Sequence, residues 1–414
     1  MKIPRELIDR AEESLTFDPR ARRRTLLERA PASEAEPAVV QRRLAHALAE
    51  GPLGSGAADL SVERILYGGD HLNVSFLERG MTAADAVARV EICDEEGQVV
   101  GHGTGFMVSP RLLLTNHHVL RSAESAASSW VDFRHELDAL GRPAEATTFA
   151  LDPLAFFFTD PELDFTVVAV APTTPDGSVP VSTFGWLRLS SGDDLALPGE
   201  WLSLVHHPAG RGKQVSLRQN LLIGEQEDRV WYAAEAAAGS SGAPVFNDAW
   251  QVVALHCLGA PERDRGGEIL TLDGRAWTPS TDESEIVWRA TIGTRVSAIV
   301  RTLRAACGEH AIVRELLAEG SADAAEAIVL PLGSGASVAG DLLPGERQDA
   351  ASARIGVAPD LGAGALSENG NGTGGHALHG AQSNESITIT VPLRITVRPG
   401  ETGGRRPEVG VNLS

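Results

Sequence analysis

The sequence predicts a mainly β protein with helices before and after its β region. Three observations carry this. Apolar residues follow a period of two from about Asp85 to Thr294, the apolar runs in that stretch are short, and Gly, Pro, Asn and Asp separate them. Many short strands over roughly 200 residues suit a sandwich or a pair of barrels.

Residues 1–79 read as a helical region. Leu7, Ile8, Ala11 and Leu15 fall at helical spacing, Asp18 before Pro19 offers an N-cap with Pro in the first turn, and Ser33-Glu34-Ala35-Glu36 fits a capping box. Gly51 closes the last helix. Rich in Arg and Glu and short of aromatics, the region is expected to be a solvated appendage that carries no chemistry. The β region opens with Val87, Arg89, Val90, Glu91 and Ile92, turns at Asp94-Glu95-Glu96-Gly97, and resumes at Val99-Val100 and Gly105 to Val108. Further runs lie at Leu112–Leu114, Phe165–Val170, Trp201–Val205, Val215–Ile223, Val230–Tyr232 and Val252–Leu255.

After Thr294 helical spacing returns through Val296, Ile299, Val300 and Leu303, and again through Val313, Leu316 and Leu317, so residues 306–332 read as a helical extension. Residues 333–385 are dominated by Gly, Ala, Ser, Asn and Asp, too poor in large apolar groups to bury a core, and read as a flexible linker. In 386–414, a β-strand tail, Ile387, Ile389, Val391, Leu393, Ile395 and Val397 alternate with polar residues, and Pro392 suits an edge strand or one lent to another sheet.

Composition narrows the function classes. With 36 Lys+Arg against 56 Asp+Glu among 414 residues, the net charge of −20 argues against a nucleic-acid backbone as partner. No apolar run is long enough to span a membrane, and the charged start Met1-Lys2-Ile3-Pro4-Arg5-Glu6 does not resemble a secretion signal, so a cytoplasmic protein is expected. Cys93, Cys257 and Cys307 are odd in number and widely spaced, which disfavours a disulfide framework or zinc knuckle.

Four distant segments make chemical sense together. The run Leu112-Leu113-Leu114-Thr115-Asn116-His117-His118-Val119 ends a strand on paired histidines, and an imidazole fixed there can take a proton from a hydroxyl and return it. In Leu163-Asp164-Phe165 a carboxylate heads an apolar strand; desolvated, it needs a partner, and an imidazole N–H is one. Asp160 and Glu162 sit in the Pro161 turn, and Asp132 and Asp152 lie outside any comparable apolar strand, which leaves Asp164 as the candidate. Gly239-Ser240-Ser241-Gly242-Ala243-Pro244 is a tight turn that can present a hydroxyl and converge backbone N–H groups on a developing oxyanion.

These segments resemble the active-site motifs of chymotrypsin-like serine peptidases, in particular bacterial trypsin-like and glutamyl-endopeptidase-like members, several of which carry effector-associated extra regions. The resemblance covers residues 80–305 and implies two antiparallel six-stranded β-barrels with the active site between them. It implies His118 as general base, with His117 a neighbour, Asp164 as the orienting acid, Ser241 as nucleophile, and the N–H groups of Gly239 and Ser241 as oxyanion donors.

The fourth segment, Val252 to Gly259, resembles the strand forming one wall of the specificity pocket, where an extended substrate pairs as an added strand and Gly259 leaves the mouth open. Glu235 occupies the place of the acid that binds Arg or Lys in trypsin-like members, whereas His256 matches the histidine with which glutamyl endopeptidases bind an acidic side chain. Both preferences stay open, with a lean to a basic residue before the cut because the net charge steers cationic partners. No cofactor is expected. Adjacent His206 and His207 point different ways on a strand and do not make a metal site, and His376 and His379 fall in the linker.

The sequence therefore points to a serine endopeptidase with a protein or peptide substrate, and a role in bacterial conflict or regulated proteolysis is plausible by the same resemblance. The N-terminal helices or the C-terminal strand offer a regulatory protein a handle. The rival from another class is a catalytically idle module that holds an extended peptide.

Overall fold

The computed structural model describes residues 5–28, 72, 74–192, 195–217, 220–233, 239–278, 281, 285–319, 328–329, 393–398 and 408–413. The chain divides into two units, Met1–Ser334 and Gly335–Ser414. In the first unit two seven-stranded antiparallel sheets follow one another along the sequence.

The first sheet contains β1 (Val87–Cys93), β2 (Val99–Met107), β3 (Leu112–Thr115), β4 (Trp130–Phe133), β5 (Thr147–Ala150), β6 (Phe157–Asp160) and β7 (Phe165–Ala169), in the order β5-β4-β1-β2-β3-β7-β6. Its central strands are buried on both faces. Val90, Met107, Leu113, Val131, Phe133, Phe149 and Val168 fill its interior. Leu112, Leu114, Phe165, Val167 and Ala169 look the other way into a core shared with Val205, Phe246, Leu255 and Ile299. This two-sided burial is why β3 and β7 read as nearly continuous apolar runs, broken only by Thr115 and Thr166.

The second sheet contains β9 (Ser203–His206), β10 (Gln214–Ser216), β11 (Leu221–Glu225), β12 (Arg229–Ala233), β13 (Pro244–Phe246), β14 (Val252–Pro261) and β15 (Trp288–Arg295), in the order β10-β9-β13-β14-β15-β12-β11. Leu204, Leu222, Val230, Tyr232, Val245 and Ala254 line its interior. The short β8 (Trp186–Leu187) pairs with β16 (Ile328–Val329).

Each sheet has seven strands where six were expected, and both extra strands have the same origin. One ribbon of the sheet is broken in two. β5 and β6 meet the same strand end to end: Leu151 bridges Val170, while Phe157–Asp160 pairs with Phe165–Val168. The break falls at Asp152–Phe156, where Asp152 accepts the Ala155 N–H. In the second sheet β10 pairs with Leu204–His206 while β11 begins where Leu221 bridges Trp201. Each sheet therefore returns on itself only through an isolated bridge, and the expected barrels are not fully closed.

Helix α1 (Arg5–Glu13) starts the described chain, and α2 (Pro19–Glu28) is capped by Asp18, whose Oδ1 accepts the N–H of Arg20 at 2.9 Å. For α1 the expectation of a solvated appendage is corrected. Leu7 and Ile8 are buried against Leu258, Ala260, Ile286 and Ile292 on the outer face of the second sheet, and Glu12 pairs with Arg263 and Arg289. The sequence hides this because the sheet face that receives α1 looks, residue by residue, like any other strand. Next come α3 (Ser75–Asp85) and the short α4 (Ala123–Ser128). α5 (Val296–Cys307) packs Val296, Ile299, Val300 and Leu303 into the shared core, joined by Val313 and Leu316 of α6 (Ala311–Glu319).

In the second unit β17 (Leu393–Arg398) pairs antiparallel with β18 (Glu408–Leu413), so the tail holds a hairpin where one Pro-interrupted strand was read. The capping box at Ser33–Glu36, Gly51, the linker residues and Ile387–Pro392 lie outside the described residues.

Candidate active site

Adjacent strands deliver the first two candidates. β3 pairs with β7 in a register that sets Thr115 opposite Thr166, so the residues just after β3 lie beside those just before β7. His118 Nδ1 is 2.8 Å from Asp164 Oδ2 and 3.1 Å from Oδ1, and the His118 backbone N–H donates to the same carboxylate at 3.0 Å. Both residues are 2% exposed. With Nδ1 donating, Nε2 keeps its lone pair, and that atom is buried without a hydrogen-bond partner among the described residues. His117 turns the other way, to Thr159 Oγ1 at 2.7 Å, and burial lowers its pKa.

Asp164 has a φ of 56°, a left-handed conformation uncommon for a side chain other than glycine. Asn116 holds it: Nδ2 donates to the Asp164 carbonyl at 2.8 Å and to Cys257 Sγ at 3.4 Å. Asp132, read as lying outside any apolar strand comparable to that of Asp164, is buried on the four-residue β4. Its run of four residues was too short to show this, and its carboxylate pairs with Arg89 at 2.8 Å rather than with His118.

Ser241 sits on a turn framed by two glycines at φ 88°. A Cβ on Gly239 would come 2.6 Å from the His207 carbonyl oxygen, and one on Gly242 would come 1.9 Å from that of Thr104, so neither position accepts a side chain. Thr104 ties the turn to the first sheet. Its N–H donates to Ser241 O at 2.8 Å, its hydroxyl donates to Gly239 O at 2.8 Å, and the hydroxyl accepts the His207 N–H at 3.1 Å. The Ser241 hydroxyl donates to Cys257 O at 3.0 Å. Cys257 thus touches both halves of the site, through its carbonyl to Ser241 and through its thiol to Asn116. Burial, then the nearby Asp164 charge, raise that thiol to about 11, which leaves it protonated and unreactive. The N–H groups of Gly239 and Ser241 bond to no acceptor among the described residues.

The pocket candidates fall less neatly. His256 is 2% exposed, its Nδ1 lies 2.6 Å from the Tyr232 hydroxyl, and burial first, then the His206 and His118 charges, lower its pKa to about 3. Gly259 is covered by the Trp288 ring, 2.4 Å from where a Cβ would stand. Glu235 lies outside the described residues. His206 spans Ser240 Oγ at 2.7 Å and Ser216 Oγ at 3.2 Å, while His207 donates from Nδ1 to Arg211 O at 3.0 Å. Burial lowers their pKa values to about 4 and about 3. Among the described residues no group of three or more His, Cys, Asp or Glu is arranged to hold a metal ion, and no helix is long and apolar enough to cross a membrane.

Sequence reasoning missed Asn116, Thr104 and Cys257. Each acts through contacts that only the pairing of distant strands creates.

Residues 103–255 match a family model described as a trypsin-like peptidase domain. The chain is 36% identical over 303 residues to the uncharacterized protein y4fB of Sinorhizobium fredii (strain NBRC 101917 / NGR234), a match over 69% of this chain and 46% of that protein. It thus spans about half the length of that curated relative. Among solved structures it is similar to the active form of the Rv3671c protease from M. tuberculosis, with a TM-score of 0.34 and 18% identity over 56% of this chain and 86% of that one. It is also similar to a Glu endopeptidase in complex with MPD, with a TM-score of 0.35 and 15% identity over 54% and 90% of the two chains. Over residues 103–255, a stretch that holds His118, Asp164 and Ser241, the chain is thus similar to trypsin-like peptidase domains.

Proposed function

We propose that the protein is a serine endopeptidase in which Ser241 attacks a peptide carbonyl, His118 shuttles the proton and Asp164 orients the imidazole. One observation carries the reading: a buried imidazole bonded to a buried carboxylate, its far nitrogen uncommitted, and a serine on a two-glycine turn, the two linked through Cys257 and Asn116. In acylation the Ser241 Oγ–H proton passes to His118 Nε2 as Oγ bonds to the carbonyl carbon. The tetrahedral oxyanion is met by the N–H groups of Gly239 and Ser241. The C–N bond then breaks as Nε2 gives its proton to the leaving amine. Water repeats the sequence on the acyl-enzyme and frees Ser241. Beforehand the serine hydroxyl must leave Cys257 O, a neutral hydrogen bond worth about 1 kcal/mol, and turn to Nε2.

For specificity, Glu235 supports a basic residue before the cut and His256 an acidic one, and the chain keeps a lean to the basic. The substrate is a protein or peptide met inside the cell, and the N-terminal helices or the C-terminal strand are where a regulatory partner would bind; a regulated or defence role follows from the same reading. The idle peptide-holding module draws on one fact, that the Ser241 hydroxyl donates to Cys257 O rather than to His118.

A fluorophosphonate probe separates the two. The parent is expected to label at Ser241, and Ser241→Ala, His118→Ala and Asp164→Asn to lose peptide hydrolysis by about 10⁴-fold or more. No Ser241-dependent labelling would leave the binding module. Profiling cuts in a mixed peptide library would then read which side chain precedes the cleaved bond.

A further inference from the structure

The three residues that end in Asp164 have their carbonyls taken one after another by side chains. Arg229, at the start of β12 in the second sheet, donates from Nη2 to Glu162 O at 2.5 Å and from Nη1 to Leu163 O at 2.9 Å. The same nitrogen reaches Thr294 Oγ1, and that hydroxyl donates to Leu163 O at 2.6 Å. Asn116 takes the third carbonyl, that of Asp164 itself. Thr294 also lies 3.2 Å from Cys257 Sγ, which closes the network back onto Asn116.

The placement matters because of what surrounds the loop. Asp164 occupies a left-handed conformation that a side chain resists, so something outside the residue must hold it. On one side Glu162, Asp164, Arg229, Cys257 and Leu258 border a half-open cleft of about 400 Å³ that Leu7 and Arg10 of α1 also line, so close packing does not brace the loop there. Arg229 belongs to the second sheet and Asp164 to the first. A planar guanidinium spanning two successive carbonyls fixes both position and rotation of the backbone between them.

We infer that Arg229 is a positioning residue that, with Thr294, clamps the 162–163 backbone across the two sheets and thereby sets the angle at which the Asp164 carboxylate meets His118. The inference rests on the proposed role of Asp164 and deepens it. A clamp of this kind controls the efficiency of proton transfer more than substrate affinity, since a misplacement of about 1 Å can cost on the order of a hundredfold in rate.

The test uses the full chain and the variants Arg229→Met, Arg229→Lys and Thr294→Val, with Asp164→Asn as reference. Three quantities are read: the low-field proton resonance of His118 Nδ1–H, the rate of fluorophosphonate labelling with kcat and KM on a peptide substrate, and Tm. Arg229→Met is expected to shift or broaden the resonance and lower labelling and kcat by about ten- to a hundredfold with KM little changed. Arg229→Lys, which reaches one carbonyl, recovers part of both. Thr294→Val keeps the side-chain shape, changes both in the same direction by less, and carries the test if Arg229→Met does not fold. A resonance and labelling rate at the parental level with only Tm lowered would overturn the inference. If the parent itself does not label at Ser241, the peptidase reading fails, while the resonance still decides whether Arg229 positions Asp164.

Discussion

A methyl group at Gly242 would overlap the Thr104 carbonyl, and the backbone there already sits at a φ that other residues avoid. Gly242→Ala is therefore expected to destabilise the protein by at least about 3 kcal/mol, since both the turn and the strand gripping it must move; thermal unfolding read by near-ultraviolet circular dichroism checks this, and an unchanged Tm would contradict it. At this scale much of the site was legible. Gly-x-Ser-Gly announces a turn because only glycine fits it, and Asp164 stands out as a charge heading an apolar run. What joins them was not legible. Asn116 reads as a loop residue and Cys257 as a core thiol until strand register sets them together beneath Asp164 and Ser241.

Among the elements, α1 departs furthest from its sequence pattern. Its apolar spacing correctly marks a helix, yet only the structure shows that Leu7 and Ile8 cover Leu258, one residue beyond the carbonyl that holds the Ser241 hydroxyl. Ile8 is 1% exposed, and Ile8→Ala is expected to cost about 2–4 kcal/mol in urea unfolding if α1 unfolds together with the second sheet. No loss of stability would mean that the helix detaches first and independently. The ion pairs of Asp9 and Glu12 with Arg263 and Arg289 contribute less, because most of these groups keep contact with water. The strands were legible as short apolar runs, but Val215–Ile223, read as one run, folds as β10 and β11 on either side of a break. Hydrophobicity does not report where a strand interrupts its ladder.

For the molecule as a whole, three buried neutral histidines set an acid limit. Burial lowers His206 to about 4 and His207 and His256 to about 3, whereas in the unfolded chain each titrates near the ordinary histidine value of 6.5. Between those values the unfolded chain binds more protons, so the stability these groups contribute is complete above about pH 6.5 and is lost as pH falls towards 4 and then 3. With three protons involved the slope reaches about 4 kcal/mol per pH unit. Tm measured from pH 7 to pH 4 should fall steeply, and His256→Phe should flatten the curve; a Tm independent of pH in that range would contradict the burial of these rings. The mainly β plan was legible from the short apolar runs; the two six-stranded barrels came only with the resemblance, and the structure has two seven-stranded sheets, because each seventh strand is half of a broken one.

That break has a consequence for how the molecule comes apart. Each sheet comes back on itself only at an isolated bridge, Leu151 with Val170 in the first and Trp201 with Leu221 in the second. Each sheet therefore has a hem, and local opening that spares the buried core is expected to begin there.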